Sequence, residues 1–136
     1  AAFRAIDFEL VVECATRARQ AQTRTLALVA ASGADPSSRI FYSRVKGEAE
    51  AALVALGFPR LVVARPSLLL GDRSERRTGE WLARKLLGPS RALFPKSIRP
   101  VRDIEVARDL VAAAMDPSWL GRRILSNRDL LEKSIR

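Results

Sequence analysis

Apolar residues recur at helix-like and strand-like intervals along the chain, and this pattern predicts alternating helices and strands. Spacings of three and four residues predict one helix over residues 1–20 and another from residue 41 to about residue 56. Two short, nearly continuous apolar runs, residues 25–31 and 61–65, are typical of strands covered on both faces in a parallel sheet. The order strand, helix, strand predicts a right-handed βαβ unit and therefore an α/β protein.

The same spacing predicts which side of each helix faces the core. In the first helix the predicted inward residues are Phe3, Ile6, Leu10, Val11, Cys14, Ala15 and Ala18. In the second helix they are Tyr42, Val45, Ala49, Ala52, Leu53 and Leu56. Gly57 and Pro59 predict the end of the second helix, because glycine accepts positive φ and proline cannot continue the helix.

The pattern continues into the C-terminal half of the chain with shorter elements. It predicts a helix over residues 79–87, an extended edge piece at 98–101, a helix at 104–115 after an Asp103 cap, a strand at 123–125 and a last helical turn opened by Ser126 or Asn127. The inward residues predicted for the helix at 104–115 are Ile104, Ala107, Leu110, Val111 and Ala114.

Length and composition predict one globular domain without a transition-metal site. The chain has 136 residues, 48% of them hydrophobic and 29% charged, and no apolar run approaches the ~18 residues that span a bilayer. There is no histidine, and Cys14 is the only cysteine, so neither a metal-ligand set nor an internal disulfide is expected. No secretory signal is visible at the start of the sequence. Together these features favour a cytoplasmic protein.

Positive charge is concentrated between Arg65 and Arg102, where ten basic residues face three acidic ones within a chain of net charge +9. Such a segment suits a nucleotide, an acidic metabolite or nucleic acid, and it is equally compatible with a solvated basic surface. The two tryptophans and five phenylalanines lack the spacing of a base-stacking surface, so nucleic-acid binding is the least favoured partner class.

Tyr42 and Lys46 lie four residues apart and are therefore neighbours on one helix surface. An ammonium beside a phenol stabilises the phenolate, and such a tyrosine can exchange a proton with a carbonyl or alcohol oxygen. The alternative is a packed tyrosine next to a solvated lysine, because the four-residue pattern is loose. Ser32 follows the first predicted strand, where loops of α/β sheets line the ligand crevice.

Four sequence segments resemble one family in their order and content. They are Ser32-Gly33-Ala34-Asp35, Phe41-Tyr42-Ser43-Arg44-Val45-Lys46-Gly47-Glu48, Arg65-Pro66-Ser67-Leu68-Leu69-Leu70-Gly71-Asp72-Arg73 and Arg77-Thr78-Gly79-Glu80-Trp81-Leu82. The chain resembles the atypical short-chain dehydrogenase/reductases, in the branch of Tat-interacting oxidoreductases and small bacterial NAD(P)-binding relatives. The resemblance extends over nearly the whole chain.

The resemblance implies a doubly wound parallel sheet of Rossmann type with NADP or NAD as cofactor. It implies that Tyr42 is the acid/base and that Lys46 binds the nicotinamide ribose and tunes the tyrosine. Ser32 matches the serine that orients the substrate oxygen, although members of the family often carry serines at the positions of Ala30 and Ala31. Pro66 and Ser67 would border the nicotinamide, and Arg65 is a further candidate cofactor-binding residue.

The family's glycine-rich turn, which holds the pyrophosphate, has no counterpart among the seven glycines of this chain. The resemblance therefore implies that residues 1–136 are the C-terminal part of one NAD(P)-binding domain lacking its N-terminal βαβ half. The edge of the first strand would then be covered by that half or by another chain, which leaves a homo-oligomer possible. The expected activity is that of an oxidoreductase or epimerase-like enzyme on a carbonyl or alcohol, with a non-catalytic dinucleotide-binding scaffold or redox sensor as the alternative.

Overall fold

The computed structural model describes residues 2–67, 69–70 and 99–133. The elements in chain order are α1 (Ala2–Arg4), a π-helical segment (Ala5–Leu10), α2 (Val11–Gln20), β1 (Thr25–Val29), α3 (Phe41–Ala55), β2 (Arg60–Arg65), β3 (Leu69–Leu70), β4 (Val101–Arg102), α4 (Asp103–Met115), β5 (Gly121–Ser126) and α5 (Asn127–Lys133). The helix predicted over residues 79–87 and most of the basic segment lie outside the described residues.

The strands β1, β2 and β5 form a parallel sheet in the order β1–β2–β5. Their register places Ala27 beside Val62 and Val62 beside Arg123, so the three strands run level and end at one common edge. The short strands β3 and β4 form a second parallel pair. The α/β class with a partial Rossmann-like parallel sheet is confirmed.

Helices cover the sheet on both faces, and the alternation of side chains along β2 divides the core in two. On one face Leu61 and Val63 pack with residues from α2, α3 and the strand ends: Ala15, Ala30, Leu53 and Phe58. On the other face Val62 and Ala64 pack with residues from β4, α4, β5 and α5: Val101, Val106, Leu110, Ala113, Leu125, Leu130 and Leu131. Each fully buried Val or Leu contributes roughly 1.5–3 kcal/mol, so β2 anchors both layers.

The strand β1 is covered on one face only, contrary to the expectation from its apolar sequence. It ends at Val29, and its only sheet partner within the described residues is β2. Leu26 and Leu28 pack against the α2–α3 layer, whereas Ala27 is exposed and Val29 is 39% exposed. An apolar run therefore indicated a parallel strand correctly, but it did not distinguish a central position from an edge.

The first helix exists as predicted, but its buried face is narrower than its apolar stripe. The side of the helix that packs against the core carries Val11 and Ala15, and Ala15 is only 3% exposed. The adjacent part of the apolar stripe lies at the surface: Ile6 is 60% exposed, Leu10 is 54% exposed, and Cys14 is also exposed. The prediction that these three residues face the core is wrong, because the helix contacts its neighbours over less than the full width of the stripe.

The second helix, α3, matches its prediction closely. Val45, Ala49 and Leu53 are buried, and Gly57 has a φ of +66° just after the helix end. Tyr42 differs, because its position in the first turn leaves it 48% exposed rather than packed in the core. From Val45 onward one face of the helix is buried, whereas Phe41 and Tyr42 in its first turn are about half exposed.

The helix α4 exists where predicted but is rotated relative to the predicted face. Val106, Leu110 and Ala113 are buried, whereas Ile104 and Val111 are 62% and 56% exposed. The β4 strand leads into α4 without a connecting loop, and Val101 of that strand packs in one core cluster with Val106, Leu110 and Ala113 of the helix. The last strand and the last helix are confirmed, both somewhat longer than predicted.

Candidate functional site

The carboxyl edge of the sheet brings together two of the predicted site serines. The backbone N–H of Ser32, after β1, donates to the Pro66 carbonyl oxygen, after β2, at 2.9 Å. The Ser67 N–H donates to Asn127 Oδ1 at 2.8 Å, and the Ser67 hydroxyl donates to the Arg99 carbonyl oxygen at 3.0 Å. Because the strands are parallel and level, the residues that follow them meet at this edge.

Asn127 is the residue that ties this edge together. It is only 4% exposed, and while its side-chain oxygen accepts from Ser67, its Nδ2 donates to the Arg99 carbonyl oxygen at 2.9 Å. One amide therefore links the exit of β2, the start of α5 and the residues before β4. The sequence prediction treated Asn127 only as a candidate helix opener and missed this role.

The loop after β1 lies directly on α3, and Gly47 makes that contact possible. The Asp35 N–H donates to the Ser43 carbonyl oxygen at 3.1 Å. A Cβ at position 47 would lie 2.3 Å from both the Asp35 carbonyl carbon and the Pro36 nitrogen. The backbone can approach the helix this closely only because glycine has no side chain.

Local hydrogen bonds fix the shape of this loop. Asp35 Oδ1 accepts from the Ser37 hydroxyl at 2.7 Å and from the Ser37 N–H at 2.8 Å. Those two hydrogen bonds, the side-chain one foremost, hold the pKa of Asp35 below its ordinary value of 3.8. Arg44 Nη1 donates to the Ser38 carbonyl oxygen at 2.9 Å, so α3 also binds the later part of the loop. The loop and the first turn of α3 thus form one ordered unit.

Tyr42 lies in the first turn of α3 with about half of its surface exposed. Its ring packs on Phe3 of the first helix, with centroids 5.5 Å apart and planes inclined by 34°. Phe3 also contacts Phe41, at a centroid distance of 5.9 Å. The phenol is therefore held by an aromatic neighbour while it stays accessible to a small molecule.

Lys46 lies one helical turn after Tyr42, and its ammonium contacts a carboxylate rather than the phenol. Lys46 Nζ is 2.5 Å from Asp7 Oδ1, and the two side chains are 18% and 26% exposed. Asp7 belongs to the π-helical segment. Among the hydrogen bonds and ion pairs of the described residues, none joins Lys46 to Tyr42, so the ammonium and the phenol share a helix face without a polar contact.

Arg65 is bound in a bidentate ion pair at the end of β2. Its Nε and Nη2 donate to the two carboxylate oxygens of Glu50 at 2.9 and 2.7 Å. The side chain of Glu50 is 5% exposed and that of Arg65 is 32% exposed. This planar two-bond geometry ties β2 to α3 and satisfies a buried carboxylate. Glu50 was not predicted to be a partner of Arg65.

Asp7, Gly47 and Glu50 are residues that sequence reasoning missed. Gly47 and Glu50 belong to α3, and Asp7 contacts Lys46 of that helix. A glycine in the middle of a helix was the available signal for Gly47, since such a residue usually reflects a close approach. Nothing in the local spacing connects Asp7 with Lys46 or Glu50 with Arg65. Those pairs depend on how separate elements pack.

The described part of the chain lacks two other kinds of feature. No group of three or more metal-ligating His, Cys, Asp or Glu side chains occurs among residues 2–67, 69–70 and 99–133. In the same residues, no helix is both long and apolar enough to cross a membrane.

Several curated proteins are similar to part of this chain. Protein fmp52, mitochondrial, of Emericella nidulans is 45% identical over 83 residues, which make up 61% of this chain and 36% of that protein. Protein HTATIP2 of Rattus norvegicus is 46% identical over 83 residues, 61% of this chain and 34% of that protein. Protein FMP52, mitochondrial, of Debaryomyces hansenii is 42% identical over 73 residues, 54% of this chain and 32% of that protein. These similarities support the Tat-interacting branch of the atypical short-chain dehydrogenase/reductase-like proteins.

The matches cover part of the chain and part of each relative. The chain spans about a third of the length of the curated relatives that it matches. No protein-family model matches it. The fungal relatives are named as mitochondrial proteins, and on this finding the expectation of a cytoplasmic location is wrong.

Proposed function

We propose that residues 1–136 are the C-terminal part of a single NAD(P)-binding Rossmann-like domain, and that the domain is an oxidoreductase or epimerase-like enzyme acting on a carbonyl or alcohol. The observation that carries the proposal is the accessible Tyr42 phenol, one helical turn before a nearly covered Lys46. The parallel sheet supports it, because α/β sheets bind ligands outside the carboxyl ends of their strands. The similarity to HTATIP2 and FMP52 supports the family.

Tyr42 is the proposed acid/base of this reaction. In the reducing direction its phenol donates a proton to the substrate oxygen while the carbonyl carbon gains a hydride, and the product is an alcohol. Solvent then returns the proton to the phenolate. The nicotinamide supplies or accepts the hydride when it is bound, and the protein contributes position and charge. The side chain of Ser32, which is exposed beside Pro66, is proposed to hold the substrate oxygen.

Lys46, Pro66, Ser67 and Arg65 are the proposed cofactor residues. A lysine ammonium has three N–H donors, so Lys46 can bind Asp7 with one and a ribose hydroxyl with another. Pro66 and Ser67 are held by backbone hydrogen bonds and are suited to form a fixed wall beside a flat ring. Arg65, already bound to Glu50, is suited to stiffen that wall. NADP and NAD both fit this proposal.

The test is the Tyr42→Phe variant of the protein carrying this chain, assayed for NADPH-dependent reduction of a carbonyl panel. Loss of the phenolic proton is expected to reduce turnover by about 100-fold or more. NADPH affinity is expected to stay within about two-fold, because the ring and its contact with Phe3 remain. Phe41→Leu is the matched control, since it alters the adjacent exposed ring without touching the phenol. Equal turnover of Tyr42→Phe and native protein would remove Tyr42 from the mechanism.

A second function is a dinucleotide-binding scaffold or redox sensor that does not turn over. The residues that favour it are Ala30 and Ala31, which are buried directly after β1 at positions where members of the family often carry serines. Protein that binds NADPH but reduces no member of a broad carbonyl panel would support this function. Measurable turnover on any member would exclude it.

A further inference from the structure

The ion pair between Asp7 and Lys46 joins two elements that are far apart in sequence. The π-helical segment Ala5–Leu10 carries Asp7 against α3, where its Oδ1 lies 2.5 Å from Lys46 Nζ. Segments of π-helix inside α-helices occur frequently at functional sites. The side chains of Lys46 and Asp7 are 18% and 26% exposed, so the pair is better shielded from solvent than an ordinary surface ion pair.

A second ion pair links the N-terminal helical region, residues 2–20, to α3. Arg4, directly before the π-helical segment, pairs with Glu48, two residues after Lys46. Its side chains are 40% and 28% exposed. The N-terminal helical region and α3 are therefore already joined by one ion pair, and the pair between Asp7 and Lys46 is an additional contact on a residue of the candidate site.

We propose that Asp7 is a positioning residue for Lys46, an inference that rests on the proposed function. A lysine side chain is a flexible four-carbon stem that ends in three N–H donors. When one N–H donor binds Asp7, the lysine side chain is held in one orientation. The other two donors are left to point toward the nicotinamide ribose and toward Tyr42. Fixing a binding group before the ligand arrives reduces the entropy lost on binding.

The first test measures NADPH affinity in a double-mutant cycle of Asp7→Asn and Lys46→Met, in the protein carrying this chain. Asp7→Asn alone is expected to weaken NADPH binding by about five-fold, the scale of one partly covered ion pair. The same change in the Lys46→Met background is expected to have no effect, because Asp7 acts only through the lysine. Glu48→Gln is the matched control, since it removes a carboxylate from the neighbouring pair. An equal loss in both backgrounds would mean a merely structural role and would overturn the inference.

The second test needs no cofactor and separates this inference from the proposed function. Lys46 is one of four lysines in this 136-residue sequence, so mass spectrometry can follow its labelling by an amine-reactive reagent with the other three as internal references. Asp7→Asn is expected to raise the labelling rate of Lys46 by about five-fold relative to those references, and Glu48→Gln to leave it unchanged. Unchanged labelling in Asp7→Asn would overturn the inference about Asp7. Native protein that binds no nicotinamide dinucleotide would instead overturn the proposed function.

Discussion

At the scale of single residues, the candidate site depends on side chains whose importance comes from what packs against them. Gly47 has no side chain that could react or bind, yet the loop after β1 crosses α3 directly over the Gly47 Cα. Asp7 was expected neither at the core nor at the site, yet it holds Lys46. Tyr42 and Lys46 themselves could be selected from sequence, because their four-residue spacing is local. Their partners could not, because each lies on an element that approaches from elsewhere in the chain.

Replacement of Gly47 tests the close approach of the loop. In an ordinary helix interior, Gly→Ala stabilises by roughly 0.5–1 kcal/mol. Here we expect Gly47→Ala to destabilise by about 1–3 kcal/mol, because the new methyl group would meet loop backbone that cannot move aside cheaply. The free energy of unfolding in urea measures the difference.

Gly33→Ala is the matched control for this prediction. A Cβ at position 33 would meet the Ser43 hydroxyl oxygen at 3.4 Å, which is ordinary contact. We expect its unfolding free energy to stay within about 0.5 kcal/mol of the native value. A Gly47→Ala protein that is as stable as native, or more stable, would show that the loop does not press on the helix.

At the scale of elements, the apolar pattern predicted which elements form better than it predicted which faces they bury. The period of 3.6 residues depends on backbone geometry alone, so α3 and α4 were located from sequence within a residue or two. The buried face depends on the direction from which a helix meets the sheet. That direction is fixed by contacts between elements, which explains why Ile6, Leu10, Ile104 and Val111 are exposed.

Asn127 is the clearest case of a residue that holds elements together. We expect Asn127→Ala to lower the unfolding free energy by about 2–3 kcal/mol, because the Ser67 N–H would be left without its acceptor and the Arg99 carbonyl would lose a donor. Arg128→Ala is the control next to it, an exposed residue of the same helix whose loss is expected to change stability by less than about 0.5 kcal/mol. Equal urea midpoints for the two variants would argue against the link.

At the scale of the whole molecule, one side of the described fold has an exposed apolar surface. In register with Val62 and Ala64, the residues Ala27 and Val29 of β1 face the α4 side of the sheet and remain exposed. On α4 itself, Val111 and Met115 are 56% and 76% exposed. Among the described strands, β1 has no partner on its outer side. Such an edge and patch favour association with another strand or surface.

We therefore expect the 136-residue chain on its own to self-associate in a concentration-dependent way. Sedimentation equilibrium measures this, and Val111→Lys is expected to shift the chain toward monomer by placing a charge in the patch. Ala112→Lys adds the same charge about 100° further round the helix and is expected to have a smaller effect. A native chain that stays monomeric at all accessible concentrations would contradict the expectation.

The central claim is that the carboxyl edge of this sheet, beside Tyr42 and Lys46, is the nicotinamide end of a dinucleotide site. A crystal structure of the protein carrying this chain, grown with NADP⁺, tests it most directly. We expect the nicotinamide ribose within hydrogen-bonding distance of Lys46 Nζ, the ring beside Pro66 and Ser67, and the Tyr42 hydroxyl facing the reactive carbon of the ring. A dinucleotide bound at another edge, with Lys46 and Tyr42 untouched by it, would contradict the claim.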